Sequence, residues 1–552
     1  MNNQETSLRD HATGLSLGTV YVAWLVATAR TLGFARDEGF YFRAASDYAR
    51  WFALFFEKPA QAIDRSTVDA IWSSNHEHPA FVKSLFALSK LYLFDKWHLF
   101  SDMSTAFRFP AMVLSGMAIY VTYLFGARAY SRTAGFIAAV LLGLVPSVFY
   151  NAHLACFDAP ILAMWTLTLY VYWRSVKERS IGFSLLLGVI YGLTLNTKHN
   201  AWILPFVIVP HALLVHRRAA GRALRLGMVP LPANLLAMFT IGPLVFFATW
   251  PWIWNDTFPR IQAYMAFHLN HEYYNMEFLG RNYFSAPSPR AYMPVMIAAT
   301  VPTVTLALFF VGAFERVTTE VKRWLSFVHW QKPADPDPLH TDLLFTLAFF
   351  AAIGPWLFPK TPIFGGTKHW LTAYPFLCLF AGRGFDLVCT AAKGTPPIRS
   401  VFVARVVPLA LGLCVLLGPF LITTHSHPFG LSTYVPFAGG VRGGATLGLN
   451  RQFWGYTTQS ANVEYMEKHA PNGSRVFIHD TAWDSWERMR DETRVRPDLQ
   501  AVGSPSEADI ALVQHELHMA EVDYQIWTAF GTTSPTYVVA HDDVPIVSVY
   551  RR

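Results

Sequence analysis

Eleven long apolar runs, spread over residues 14–424, constrain this chain more than any other feature. They lie near 14–34, 106–126, 133–151, 158–174, 182–197, 200–215, 233–253, 291–314, 342–358, 367–389 and 401–424. Runs of about 17 to 25 apolar residues have the length that crosses a bilayer as helix. In hydrocarbon a backbone can satisfy its own hydrogen bonds only as helices or a closed barrel. The expected fold class is therefore an all-α polytopic membrane protein of about eleven transmembrane helices, with a small C-terminal α/β domain. Composition agrees, since 53% of the 552 residues are hydrophobic and only 15% are charged. An ordinary soluble domain carries nearer a quarter of charged residues.

Charge placement orients the bundle and excludes one partner class. The net charge of +7 sits in short clusters between the apolar runs, not along one face, which argues for membrane topology rather than nucleic acid. With the N-terminus inside, the inner connections carry Arg128 and Arg132; Arg174, Lys177 and Arg179; Arg217, Arg218, Arg222 and Arg225; Arg316, Lys322 and Arg323; Lys393 and Arg399. One orientation accounts for all of them. The chain is thus expected in the inner (plasma) membrane, with the other connections and the C-terminal segment outside. The polar opening Met1 to Asp10 does not read as a cleavable signal, so the first run is expected to stay as an anchor. Cys156, Cys378, Cys389 and Cys414 lie in or beside apolar runs and read as reduced core residues.

The membrane part is expected to span 1–424 and the external domain 425–552, with 35–105 a long first external loop. Within that loop, residues 37–57 and 79–97 place aromatic and apolar side chains at helical spacing, as interfacial amphipathic helices do. In the C-terminal part a helix is expected near 458–470 and strands near 476–479, 510–513 and 537–539. The glycines of 439–445 lack the strand–turn–helix setting of a nucleotide loop. Neither an internal repeat nor a long low-complexity segment is evident.

Chemistry-bearing residues recur at the outer ends of the runs. Asp37 and Glu38 follow the first run directly; carboxylates at a membrane edge are costly against lipid and useful in a polar cavity. Glu77, His78 and Lys83 flank Pro79 in a polar turn between the two interfacial helices. Asp158 opens the fourth run, either as a helix N-cap or as a third active carboxylate. Lys198 and His199 separate two short runs, where a dip toward a cavity and simple snorkelling are both open. His268 and His271 share a helix face beside Glu272, and Arg281 follows; the fixed His-Glu-x-x-His pattern of a zinc-binding helix is absent, so contacts to a phosphate or sugar are the better reading. Lys368 and His369 open the tenth run, where a helix N-terminus already favours anions. Carboxylates can activate a hydroxyl while cations stabilise a departing phosphate, so their gathering on one side suggests group transfer from a lipid phosphate. A transporter or lipid flippase is the alternative, which would place ionisable groups near the bilayer midplane.

In their order, the acidic pair, the long first loop, the Glu-His-Pro turn, the later Asp, the Thr-Lys turn and the Lys-His opening resemble the GT-C membrane glycosyltransferases. The resemblance is to the branch of dolichyl-phosphate-mannose protein mannosyltransferases and the ArnT-like aminoarabinose transferases of lipid A, and covers about residues 14–425. It implies transfer of a sugar, with inversion, from a polyprenyl-phosphate donor to a lipid or protein hydroxyl on the extracytoplasmic face. Asp37 matches the family's catalytic base, supported by Glu38, and Asp158 joins them. The phosphate is expected among Lys198, Lys368, His369 and Arg281. His78 stands where ArnT-like enzymes carry the lysine of Glu-Lys-Pro, so Lys83 is expected to supply that cation. No cofactor is required on this reading; a divalent metal, used by oligosaccharyltransferases, is compatible with it but not demanded.

Overall fold

The computed structural model describes residues 7–225, 231–273, 276–285, 287–328, 337, 339–363, 365–392, 401–452, 460–516 and 520–552. Each expected run is helical, but not every run is a straight span. Leu8–Thr31, Met103–Ala129, His199–Arg217, Gly366–Ala392 and Val406–Ser426 are long and apolar enough to cross a membrane, which makes five. Two broken pairs, Arg132–Gly143 with Pro146–His153 and Tyr292–Thr300 with Thr303–Arg323, bend by 65° and 116° and bring the number to seven. Pro146 and Pro302 stand at these breaks, where proline removes a helical hydrogen bond and the residue before it is pushed to extended geometry. Ile181–Leu195, Ala233–Ala248 and Thr341–Leu357 are apolar but shorter. At 1.5 Å per residue a 15-residue helix falls short of the hydrocarbon thickness. Of the eleven expected runs, five to seven are thus long and apolar enough to cross a membrane by themselves among the described residues.

Ion pairs tie the helix ends opposite the cavity described below. Asp10 in the first turn of Leu8–Thr28 receives Arg132 Nε at 2.5 Å, which puts the N-terminus and the first basic connection at the same end. Arg128 and Arg174 share Glu178, at 3.2 and 2.5 Å, and Arg316 reaches Asp342 at 3.3 Å. Lys393 and Arg399 lie outside the described residues. Deeper in the bundle, Thr303–Val328 and Tyr374–Ala392 approach backbone to backbone. A Cβ on Gly312 would collide with the Phe380 carbonyl, and one on Gly384 with that of Leu308.

The first loop folds back against the bundle. Arg36–Glu57 buries Tyr41, Phe42, Ala45, Tyr48 and Trp51 on one face, as its spacing predicts. Phe81–Ser89 continues the loop, and Asn196 ties its start down: Asn196 accepts from Ala80 N at 2.9 Å and from Phe81 N at 3.0 Å. That bond fixes the turn carrying Lys198 beside the Glu77-His78 turn.

The C-terminal part holds a five-stranded mixed sheet. Its spatial order is Gln500–Val502, Arg475–Phe477, Ile510–Gln514, Val544–Arg551, Tyr537–His541. The first three strands run parallel and the last two antiparallel. Gln500–Val502 and Val544–Arg551 add to the expected strands, and the helix expected near 458 is described from Ser460. Val476, Ile510 and Val547 belong to the same apolar core as the membrane helices. The sheet segment meets the first loop where Gly39 packs on Ser485 so closely that a Cβ would touch its hydroxyl.

Candidate active site

The first turn of Arg36–Glu57 presents its two carboxylates in different directions, because adjacent helical residues diverge by about 100°. Glu38 points inward and is fully buried. Its Oε1 accepts from Arg108 Nε at 2.8 Å and Ala155 N at 2.9 Å; its Oε2 accepts from Arg108 Nη2 at 2.7 Å and Ala35 N at 3.0 Å. Arg108 also donates to the carbonyls of Ala29 and Gly33, at 3.1 and 2.6 Å. A carboxylate with four donors and no solvent contact has no lone pair to offer a substrate. The expected catalytic role of Glu38 is corrected to that of a buried knot joining the first span, the loop and Met103–Ala129.

Asp37 points the other way, into a cavity of about 930 Å³. Lys368 Nζ lies 3.6 Å from Asp37 Oδ2. Beside them Lys198 Nζ donates to Asp158 Oδ1 at 2.6 Å. Asp158 is therefore not a cap: the helix Asp158–Glu178 begins after Phe157 without a side-chain cap bond, which leaves the carboxylate for Lys198. Both pairs are closed within the cavity wall, with Lys198 and Lys368 largely buried.

Histidines and aromatic rings complete the wall. His199 and His268 stack with ring centroids 4.2 Å apart, and His78 lies 5.4 Å from His268. His268 Nε2 meets the Glu77 carbonyl at 3.0 Å, so the two expected histidine sites converge. Burial, followed by the neighbouring His268 and lysines, drives His78 well below its ordinary value, and burial takes His268 to about 3. Both rings are thus neutral near pH 7 and bring a lone pair or one N–H, not a charge. The cations that line this cavity are Lys198, Lys368, Arg36 and Arg43. His369 packs on Trp356 with centroids 4.5 Å apart, and Glu77 and His271 also line the space.

Two expected cations are elsewhere. Lys83 is fully buried beneath the polar turn, where its ammonium donates to the Asn75 and His78 carbonyls at 2.5 and 3.0 Å. It holds the turn's shape and does not replace the cation that His78 lacks. Burial lowers its value to about 7. Arg281 sits on the exposed strand Arg281–Tyr283 and is not among the residues lining the cavity.

The structure adds wall residues that the sequence did not disclose. Arg36 Nε pairs with Asp480 Oδ1 at 3.1 Å, which closes the cavity with a residue of the C-terminal segment. Asn450, Gln452 and Glu516 come from that same segment. No local pattern marks them. Arg36 adjoins the acidic pair, and Arg108 is a charge inside an apolar run; both were visible as anomalies. Burial raises Asp480 to about 6 despite Arg36. Among the described residues, no three metal-ligand atoms of the cavity gather within 4.8 Å, and Asp37 and Asp158 each face a lysine.

A family model described as dolichyl-phosphate-mannose-protein mannosyltransferase matches residues 96–247, a segment that carries Arg108, Asp158 and Lys198. No curated protein sequence matches the chain. Archaeal oligosaccharyltransferase AglB from Archaeoglobus fulgidus, solved with an inhibitory peptide and a dolichol-phosphate, superimposes with TM-score 0.50 at 11% identity over 97% of this chain and 75% of that one. ArnT from Cupriavidus metallidurans bound to undecaprenyl phosphate gives 0.46 at 16% identity, over 97% of each chain. Arabinosyltransferase EmbB from Mycobacterium smegmatis gives 0.39 at 14%, over 92% of this chain and 44% of its own. By segment the chain resembles the dolichyl-phosphate-mannose-protein mannosyltransferases, and in fold it resembles the membrane oligosaccharyltransferase AglB.

Proposed function

We propose that this protein transfers a sugar from a polyprenyl-phosphate donor to a hydroxyl of a lipid or protein acceptor, with inversion, on the extracytoplasmic face of the plasma membrane. The observation that carries the reading is the facing pair Asp37 and Lys368, 3.6 Å apart, next to Asp158 and Lys198 in one cavity. AglB, which is similar in fold, was solved with a dolichol-phosphate.

In this mechanism Asp37 accepts the proton of the acceptor hydroxyl as its oxygen attacks the anomeric carbon. The bond from that carbon to the phosphate oxygen breaks, and its electron pair leaves on the phosphate. Lys368 and Lys198 stabilise the charge that develops there, an electrostatic role that strengthens toward the transition state. A single in-line displacement inverts the anomeric centre. Before the donor binds, Lys368 neutralises Asp37; an arriving phosphate competes for the ammonium and frees the carboxylate to act as base. Asp158 keeps Lys198 aimed into the cavity. The imidazoles of His78, His199 and His268 supply hydrogen bonds to sugar or phosphate oxygens. Placing the charge pairs in a cavity shared with the C-terminal sheet favours group transfer over a transport path.

Mass spectrometry of glycolipids and glycoproteins, compared between cells with the wild-type gene, without it and with Asp37→Asn, tests the proposal. One glycosylated product should vanish in both altered strains. A product profile identical in all three would remove the assignment.

A further inference from the structure

The last span and the C-terminal sheet meet at a second cluster, distinct from the cavity. His425 lies at the end of the helix Val401–Ser426, while His541 and Asp542 stand where Tyr537–His541 turns into Val544–Arg551. The turn residues Asp542 and Asp543 have φ of 47° and 62°, the left-handed pair that matches a two-residue hairpin to the twist of its strands. The reversal brings the Asp542 carboxylate over the end of the span, with Oδ1 2.8 Å from His425 Nε2. The rings of His425 and His541 lie 5.1 Å apart, tilted by 33°. One ligand atom from each of the three residues lies within 4.8 Å of the other two.

We propose that His425, His541 and Asp542 form a site for a divalent transition-metal cation of the zinc type, which pins the C-terminal hairpin to the end of the last span. Two imidazoles and one carboxylate are a zinc ligand set, with a fourth position left for water. Zinc bonds of about 2.0 to 2.2 Å in tetrahedral array put neighbouring ligand atoms roughly 3.3 Å apart, so side-chain rotation suffices to close the site. An ion pair accounts for His425 with Asp542, and the buried His541 stands beside them as a third ligand-type side chain. Thr433 Oγ1, 3.2 Å from His541 Nε2, and the Phe429 ring at 5.4 Å hold that imidazole in place, as outer partners hold metal-binding histidines. Arg442, the neighbouring cation, is engaged with the Asp543 carboxylate and with the Asp542 carbonyl at 3.0 Å, and so does not occupy the Asp542 carboxylate. His425 and Asp542 are 60% and 36% exposed in their side chains, which gives the ion a path from solvent.

Zinc titration of the full chain, purified in detergent and stripped with EDTA, tests the site. One zinc per chain should bind, measured by competition with a colorimetric chelator, and should raise Tm. Cobalt in its place should give visible d–d absorption. Because His541 is buried, His425→Ala and Asp542→Asn carry the comparison: each should weaken zinc binding at least tenfold and abolish the Tm rise, while His268→Ala in the cavity retains both. Failure of the wild-type chain to bind zinc at micromolar free metal would overturn the proposal. So would wild-type-like zinc binding by His425→Ala and Asp542→Asn, or zinc binding lost only in His268→Ala.

Discussion

Asp37 and Glu38 are neighbours in sequence, yet the regions they enter are built on opposite principles. Around Glu38 every polar atom is spoken for: four donors converge on one carboxylate, and Arg108 spends its remaining hydrogen bonds on backbone carbonyls. Around Asp37 the wall is lined with charge held loosely, by a lysine at 3.6 Å in a space large enough for a sugar. A buried pair is strong only while it is complete, since removing one partner leaves an uncompensated charge. A cavity pair has the reverse property, because its partners can be exchanged for a ligand. On the proposed function, the contrast gives stability to one carboxylate and chemistry to the other.

The comparison breaks most sharply if Asp37→Asn unfolds the protein. This substitution should instead lower kcat by about 10² to 10⁴-fold, the usual worth of a positioned general base, with Tm essentially unchanged. Turnover assays and thermal unfolding in detergent measure the two quantities on one preparation. Glu38→Gln or Arg108→Met should cost about 3 to 5 kcal/mol of stability, as breaking a fully buried pair does. A Tm like that of the wild type in both would dissolve the contrast.

Smaller effects sharpen it. Lys198→Ala and Lys368→Ala should each weaken donor binding by about tenfold to a hundredfold, the value of a charge-assisted hydrogen bond, and lower Tm far less than Arg108→Met. Unchanged donor affinity in both would move the phosphate elsewhere. The smallest effect concerns pH. Asp480 is raised by burial to about 6, so between its ordinary value of 3.8 and pH 6 the native chain holds a proton that the unfolded chain has lost. Stability from this group therefore falls as pH rises through that window. Asp480→Asn should flatten the slope in Tm measured from pH 4 to 7, and an identical slope would show that the Arg36 contact dominates.

Much of the site was legible because charges at the ends of apolar runs are conspicuous. Asp37, Asp158, Lys198, His199, His268, Lys368 and His369 were singled out this way, and the fold brings all seven to one cavity. Lys83 shows the limit of the method. It has the same charge as Lys198 and a similar polar setting, but three-dimensional packing puts its ammonium under a turn. Arg108 was legible as an anomaly, a guanidinium within an apolar run, although nothing nearby names Glu38 as its partner. Asp480 and Gln452 had no signal, since neither stands at the end of an apolar run.

By itself, then, the sequence determined the helical membrane class, the basic connections that orient it and the shortlist of charged residues. These depend on transfer of side chains from water to lipid, a cost that adds residue by residue and needs no knowledge of contacts. The tertiary structure decided which runs are straight helices and which are broken or short, because proline breaks and helix length act on geometry. It also decided which of two adjacent carboxylates faces the cavity and which distant segments close it. Helix phase and long-range packing set those answers, and neither is a property of any one stretch of chain.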